Sequence, residues 1–338
     1  MQLRLGERAP SLVGATADGR FYSLDAQAGR GALLIAMGCL SPTEARDTLR
    51  ELRPARAALQ AAGVDLVAVA PVSSSLVSAL AGDAEARAEV IHVVEAGGLE
   101  RLEVDGKPAV IAIDRGGRIV DLFSLEDPSD LLDRCASVSA LLASEPPRQR
   151  SATAPILIIP NVTPRDLCRA LIDGFEASPH APGAMASLAA GRPADKLDAA
   201  QKLRRDFELS PASELGAQVL SILAERCLPE LRRAFQRDVG LVDRILLARY
   251  DVGGHFKRHR DNLLPHTAFR EFAVTLNLNT EDYEGGCLVF PEYSDDFYNP
   301  PTGSAAIFSA SLLHEVTPVR SGVRYAALTF LSSRPPGG

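Results

Sequence analysis

The sequence has no apolar run approaching the roughly 20 residues that a helix needs to cross a membrane, so no membrane-spanning helix is expected. Its first residues, Met1 to Glu7, lack the apolar core of a secretory signal, and export by that route is not expected. Cysteine is sparse. Cys39, Cys135, Cys168, Cys227 and Cys287 form an odd, scattered set without a CxxC pair. That excludes both a zinc site of that pattern and a disulfide framework, and it fits a reducing cytoplasm. Positive charge is not in excess either: 36 basic residues face 43 acidic ones, a net charge of −7, and neither half of the chain is basic. Nucleic acid is therefore not an expected partner.

The chain is 338 residues long, with 46% hydrophobic and 23% charged residues. This is ordinary globular composition with length for two domains. The polar, proline-bearing stretch around Glu145, Pro146 and Pro147 reads as a linker, at 145–154, between a domain at 1–144 and another at 155–334. A second polar stretch, from Ser178 to Asp198, lacks apolar rhythm and reads as a long loop or lid. No internal repeat is visible.

The first half alternates strand and helix signals. Gly31–Met37 and Val64–Ala70 read as buried strands, with a helix over Thr43–Ala62 that Pro54 should kink or break. Pro108–Asp114 and Arg118–Phe123 flank the turn signal Arg115-Gly116-Gly117, and Asp127–Ala143 reads as a closing helix. This order predicts an α/β domain around one sheet. The second half opens on a strand at Pro155–Pro160, with Thr163 in position to cap a helix and Pro164 at its first position. Leu215, Val219, Leu223, Cys227 and Leu231 predict one face of a long helix over Pro211–Arg237. Beyond Arg244, short strand signals separated by Gly, Pro, Asp and Asn turns predict a β-sandwich or jelly roll with helices in front.

The chemistry concentrates there. His259 and Asp261 are spaced i, i+2 and project from one face of an extended strand. His314 lies on a later predicted strand. Two imidazoles and one carboxylate are the ligand set of a non-haem Fe(II) facial triad, which leaves metal positions open for a co-substrate and oxygen. Arg324, on the strand after His314, offers a guanidinium that can grip a carboxylate with two hydrogen bonds. An HxD pair alone arises often by chance, and a solvated strand face is the bland alternative. The order HxD…H…R across a jelly-roll pattern favours the metal.

Five segments, Tyr250–Asn262 (YDVGGHFKRHRDN), Glu284–Pro291 (EGGCLVFP), Gly303–Phe308 (GSAAIF), Leu313–Val319 (LHEVTPV) and Gly322–Leu328 (GVRYAAL), together resemble the Fe(II)/2-oxoglutarate-dependent oxygenases of the prolyl-4-hydroxylase-like group. The resemblance covers about residues 155–332. It implies a double-stranded β-helix with iron on His259, Asp261 and His314, 2-oxoglutarate chelating the iron and pairing with Arg324, and Tyr250 hydrogen-bonding the co-substrate. It also implies oxidative decarboxylation of 2-oxoglutarate by O2 to succinate and CO2, coupled to hydroxylation of a C–H bond. Asp261 favours hydroxylation over halogenation, because halogenases of this class lack that carboxylate. Ala326, where many members carry serine, and Asn277, on the strand where some prolyl hydroxylases carry tyrosine, depart from the pattern. They leave the substrate open among free amino acids, small metabolites and peptidyl side chains.

Nearby residues have two readings each. Lys257 would contact substrate or snorkel to the surface. His255 and His266 would support the ligands or serve as ordinary loop or strand histidines, the latter being favoured. Tyr293, Phe297 and Tyr298 would cover the site or pack locally.

In the first half, Gly6–Pro10 (GERAP), the strand–helix–strand order and Gly106–Asp114 (GKPAVIAID) resemble the peroxiredoxin branch of the thioredoxin fold, over about residues 3–143. Pro108 matches the proline that usually follows a cis peptide bond in that fold. Ser41 stands where the resemblance implies the peroxidatic cysteine, and a hydroxyl cannot do thiolate peroxide chemistry, so the domain is expected to be redox-inactive. Cys39 is the alternative nucleophile, with Cys135 a conceivable resolving partner or a buried structural thiol. A thiol peroxidase or peroxide sensor using Cys39 is thus the competing function. A non-catalytic metal-binding jelly roll, which would leave Arg324 without a use, is the third.

Overall fold

A computed structural model describes residues 3–15, 21–27, 29–37, 40–70, 91–94, 109–124, 133–138, 142, 152–189 and 192–335. The chain divides into two compact units, Met1–Arg148 and Gln149–Gly338. Cys39, Pro108 and the centre of the expected linker lie outside the described residues. Among the described residues, no helix is long and apolar enough to cross a membrane.

The N-terminal unit is built on a seven-stranded sheet. Its spatial order is Phe21–Ser23, Val13–Ala15, Ile91–Val94, Val64–Ala70, Gly31–Ala36, Ala109–Ile113 and Ile119–Ser124. The central strands Gly31–Ala36, Val64–Ala70 and Ile91–Val94 are parallel, and the last two are antiparallel. Gly31–Ala36 is buried throughout because both sheet faces are covered. Leu33 and Ile35 pack with Leu49, Leu52, Cys135 and Val138, whereas Leu34 and Ala36 pack with Leu12, Tyr22 and Val69. The helix Pro42–Ala61 runs unbroken through Pro54, where a kink or break was expected. Only 133–138 and 142 of the expected closing helix are described, and they are helical.

The helix start explains Ser41. Its Oγ accepts a hydrogen bond from the Glu44 amide at 3.3 Å, and the Glu44 carboxylate accepts one from the Ser41 amide at 2.8 Å. With Pro42 next, this is a reciprocal capping box, and it commits the serine hydroxyl to holding the helix.

The C-terminal unit is β-rich. Its larger sheet has the order Ile156–Ile159, Ala305–Ser309, Phe272–Asn277, Arg324–Ser332, Leu241–Tyr250, Arg205–Leu209 and Ala181–Pro182. The smaller has the order Lys202–Leu203, His255–His259, His314–Val316 and Leu288–Val289. All pairings in both are antiparallel. Alternation along each strand separates two cores. Ile245, Leu247, Val274, Leu276, Ala327 and Leu331 pack with the helices on one face of the larger sheet. Ala248, Tyr250, Ala273 and Phe308 face the smaller sheet and pack with Leu288, Phe290 and Val316.

Three expectations are corrected. The helix read over Pro211–Arg237 is Glu214–Ile222, a π-helical turn Leu223–Cys227, and Leu228–Phe235. Pro229 has no N–H for the regular ladder, and the wider turn absorbs the missing bond. Val219, Leu223, Cys227 and Leu231 are buried as expected. Thr163 does not cap the next helix. Pro164 is the cap residue of Arg165–Glu176, the Thr163 amide donates to the Gly303 carbonyl, and the Thr163 hydroxyl is buried without a partner. The stretch read as a loop over Ser178–Asp198 contains a β-hairpin, Met185–Ala189 with Arg192–Lys196. Backbone pairing supports this ribbon without any apolar alternation.

Candidate metal centre and substrate cavity

The smaller sheet places His259 and His314 directly opposite each other on neighbouring antiparallel strands. Their ring centroids are 4.2 Å apart. The His255–His259 strand ends at His259, and the chain is then caught by a hydrogen bond from the Asp261 amide to the Ala310 carbonyl at 3.0 Å. Arg270 donates to the Asp261 carbonyl at 3.3 Å and is itself held by Asp243 at 2.6 and 2.9 Å. These anchors turn the Asp261 carboxylate back toward the imidazoles. His259 Nε2 and His314 Nε2 each lie 3.5 Å from one of its oxygens, and one donor atom from each residue falls within 4.8 Å of the others.

The imidazoles are set for coordination. His259 Nδ1 lies 2.7 Å from the Lys257 carbonyl and His314 Nδ1 lies 3.0 Å from the Leu312 carbonyl. A carbonyl can only accept, so each Nδ1 carries the proton and donates. Each Nε2 then presents a lone pair to the shared space. Phe256 stacks on His259 at 3.4 Å, and Phe308 meets His314 edge-on at 4.7 Å. Burial, more than its neighbours, pushes the His314 pKa down to about 4 and keeps the ring neutral. Burial alone would raise the Asp261 pKa, but His314, His259 and Arg270 outweigh it and hold the carboxyl below its ordinary value. Two imidazoles and one carboxylate on one side of a common point are a 2-His-1-carboxylate facial triad.

Beside the triad an inner cavity of about 60 Å³ is lined by Tyr250, Thr275, Arg324 and Arg204. Arg324 is 2% exposed, and its Nε and Nη1 have no hydrogen-bond partner. Its guanidinium lies over the Tyr250 ring at 4.8 Å, and Tyr250 pairs with it in register across the larger sheet. A buried guanidinium with unused donors fits a carboxylate group from outside the chain. The paired glycines make room for it. A Cβ on Gly286, at φ +59°, would lie 2.8 Å from Arg324 Cδ, and one on Gly285, at φ +79°, would strike the Pro318 carbonyl at 2.3 Å.

An outer cavity of about 620 Å³ adjoins the inner one and shares Arg204, Phe256, His259 and Asp261 with it. The 185–196 hairpin forms one wall and the segment around Leu264 and His266 another. Two charged residues absent from the sequence expectations, Lys202 and Arg204, line it, and both meet Asp206 behind it. Lys202 donates to the Ala184 carbonyl at 2.6 Å and to Asp206 at 3.1 Å. Arg204 donates to Asp206 at 3.1 Å and to the Tyr250 hydroxyl at 2.7 Å. Burial, with Arg204 adding to it and Asp206 opposing, pushes the Lys202 pKa down to about 8. Burial would raise the Asp206 pKa, but Arg204 and Lys202 outweigh it and lower it. The alternating spacing 202, 204, 206 was the available signal, since in extended chain it puts all three on one face.

The other flagged residues divide. Lys257 is exposed and lines neither cavity. His255 is taken up by the Gly253 and Ala200 carbonyls. His266 lines the outer cavity with its Nδ1 buried and without a partner. Phe297 and Tyr293 are exposed, and Tyr298 packs on Phe290. Asn277 donates to the Pro300 carbonyl, and Ala326 is fully buried. Cys135 is buried, which pushes its thiol pKa up to about 11, and no disulfide joins the described cysteines.

The fold and donor set define a non-haem metal site of the oxygenase type. Residues 245–332 match the 2OG-Fe(II) oxygenase superfamily, and the C-terminal unit carries a domain of that superfamily. The chain is 29% identical over 140 residues to a PKHD-type hydroxylase of Synechococcus sp. (strain CC9605), covering 40% of this chain and 63% of that one. It is 33% identical over 144 residues to a PKHD-type hydroxylase of Synechococcus elongatus, again covering 40% and 63%. It thus spans less than two thirds of the length of these curated relatives. Among solved structures, a Pseudomonas putida prolyl-4-hydroxylase is similar at 19% identity and a TM-score of 0.41, covering 54% of this chain and 95% of that one. The thioredoxin domain of a Bacteroides vulgatus thiol-disulfide oxidoreductase is similar at 22% identity and a TM-score of 0.32, covering 39% and 98%.

Proposed function

We propose that the protein is a non-haem Fe(II)- and 2-oxoglutarate-dependent dioxygenase that hydroxylates a C–H bond of a small molecule or peptidyl side chain. The observation that carries this reading is the pair of Nε2 atoms turned onto Asp261 beside a buried Arg324 whose Nε and Nη1 have no hydrogen-bond partner. His259, Asp261 and His314 would hold the iron. Bound iron would supply oxygen activation at that face, with 2-oxoglutarate oxidised to succinate and CO2 as the coupled half-reaction. Arg324 would pair with the distal carboxylate of 2-oxoglutarate. Tyr250 accepts from Arg204, so its own proton is free to donate to the same co-substrate. Thr275, on the same wall, offers a hydroxyl near where serine is lacking at Ala326. Phe256, stacked on His259, and Phe308, edge-on to His314, fix the ring orientations and cover the imidazoles with apolar surface.

The facing larger and smaller sheets support a double-stranded β-helix over 155–334, joined by a linker at 145–154 to a thioredoxin-like domain at 1–144. The capping role of Ser41 favours a redox-inactive N-terminal domain over a peroxidase. Among the described residues, Cys135, Cys168 and Cys227 are buried free thiols, which suits a reducing, cytoplasmic setting. The test is succinate formation from 2-oxoglutarate by anaerobically prepared, Fe(II)-loaded protein on admitting air. The expected outcome is iron- and oxygen-dependent succinate in the wild type and its loss, by at least a hundredfold, in His259→Ala. A wild type that binds neither iron nor 2-oxoglutarate would refute the reading and leave Cys39 to be tested as a peroxide-reactive thiol.

A further inference from the structure

The outer cavity carries a charge that its own residues leave unmatched. Arg270 is neutralised by Asp243 and Arg260 by Glu292, Arg244 and Asp195 at the exposed rim are of opposite sign, and Asp261, the remaining carboxylate of the lining, is the one the metal would take. Lys202 and Arg204 remain, two cations sharing the single carboxylate of Asp206. Both side chains are more than nine-tenths buried. A lysine ammonium has three donors, and Lys202 spends two, on Ala184 and Asp206. Of the three described lysines, Lys196 and Lys257 are exposed, and Lys202 alone is buried. Its Nζ lies 5.2 Å from the centre of the Phe256 ring, and that ring stacks directly on His259. A spare cationic donor therefore stands one aromatic ring away from the metal-binding imidazole. Leu246, Phe256, Leu264 and Phe330 give the same cavity apolar walls.

We propose that the prime substrate is a small molecule with a carboxylate that docks on Lys202, its hydrocarbon body against those walls and its reacting carbon a few bonds away at the triad. This deepens the oxygenase reading and rests on it. The co-substrate is served separately, because Arg324 lies in the inner cavity. A desolvated cation without a full partner is costly, and an incoming carboxylate supplies the missing acceptor. An amide of the same shape does not. A charge-assisted hydrogen bond of this kind corresponds to about a tenfold to hundredfold preference for acid over amide.

The test uses the full-length, Fe(II)- and 2-oxoglutarate-loaded protein. Free L-amino acids and short-chain monocarboxylic acids are each paired with the primary amide, and N-acetylated peptide amides without carboxylates are added. Anaerobic calorimetry reads binding, and succinate release after admitting air reads turnover. The expected result is that the best compound is an acid, preferred over its amide by at least tenfold. That preference should collapse in Lys202→Met and survive in part in Lys202→Arg. The acid–amide comparison on wild type stands even if the methionine variant folds poorly. The proposal is overturned if acid and amide bind alike, or if the preference persists in Lys202→Met. It is equally overturned if Lys202→Met raises only the KM for 2-oxoglutarate, or if only the peptide amides respond. If no acid binds while iron- and His259-dependent turnover of 2-oxoglutarate persists, the substrate inference falls and the oxygenase reading stands. If that turnover is absent too, both fall.

Discussion

Replacing Arg324 with methionine separates the cost of burying a cation from its use. The guanidinium is 2% exposed and two of its nitrogens lack partners. An uncompensated buried ion costs several kcal/mol when fully desolvated. The adjoining cavity of about 60 Å³ has room for water, so a smaller gain, about 1–2 kcal/mol, is expected when an apolar side chain replaces it. The ligand-free variant should therefore unfold about 2–8 °C higher than wild type in the transition of the C-terminal unit. Binding should move the other way. Removing one partner of a buried charge pair costs about 2–5 kcal/mol, or roughly 30-fold to several thousandfold in Kd for 2-oxoglutarate. In wild type, 2-oxoglutarate at about 100 times its Kd should stabilise that unit by about 2.7 kcal/mol. Scanning calorimetry of the full chain, carrying a redox-inert divalent metal and with or without 2-oxoglutarate, measures both effects. The reasoning is refuted if ligand-free Arg324→Met melts below wild type, or if it keeps the wild-type shift with 2-oxoglutarate.

Other consequences follow from the same geometry. Gly286→Ala puts a methyl 2.8 Å from Arg324 Cδ at a positive φ, and should cost about 1–3 kcal/mol in urea unfolding while weakening 2-oxoglutarate binding; an unchanged midpoint would contradict it. In metal-free protein the folded His314 pKa of about 4 lies below the ordinary 6.5, so the unfolded chain binds a proton that the folded one refuses. Stability contributed by this group is complete above about pH 6.5 and is lost as pH falls toward 4, and the lowered Asp261 pKa adds a further loss only below its ordinary value of 3.8. Urea midpoints at pH 7 and pH 5 should differ accordingly, the lower at pH 5. Ser41→Ala should cost the N-terminal unit about 1 kcal/mol and speed amide exchange in the first turn of Pro42–Ala61. Exchange at the wild-type rate would argue against the capping box.

The residues of the metal site were legible in the sequence because their signals are local. An HxD spacing puts two ligands on one strand face, and His314 and Arg324 each fall inside a strand-patterned segment. The alternation of strand and helix in the first half, and the change to short strands beyond Arg244, were legible for the same reason. Only the tertiary structure decided what those faces meet. The opposition of His259 and His314 is a matter of register between strands 55 residues apart, set by backbone pairing and not by either strand alone. Lys202, Arg204 and Asp206 drew no reading from the sequence, because alternation shows that they share a face but not that the face is buried against Tyr250 and Phe256. The 185–196 hairpin gave no apolar rhythm because ladder hydrogen bonds hold it. The helix passes Pro229 by way of the π-turn Leu223–Cys227, because Leu223, Cys227 and Leu231 are buried on both sides of it. Local chemistry named the candidate metal ligands; long-range packing placed the buried Lys202 beside them.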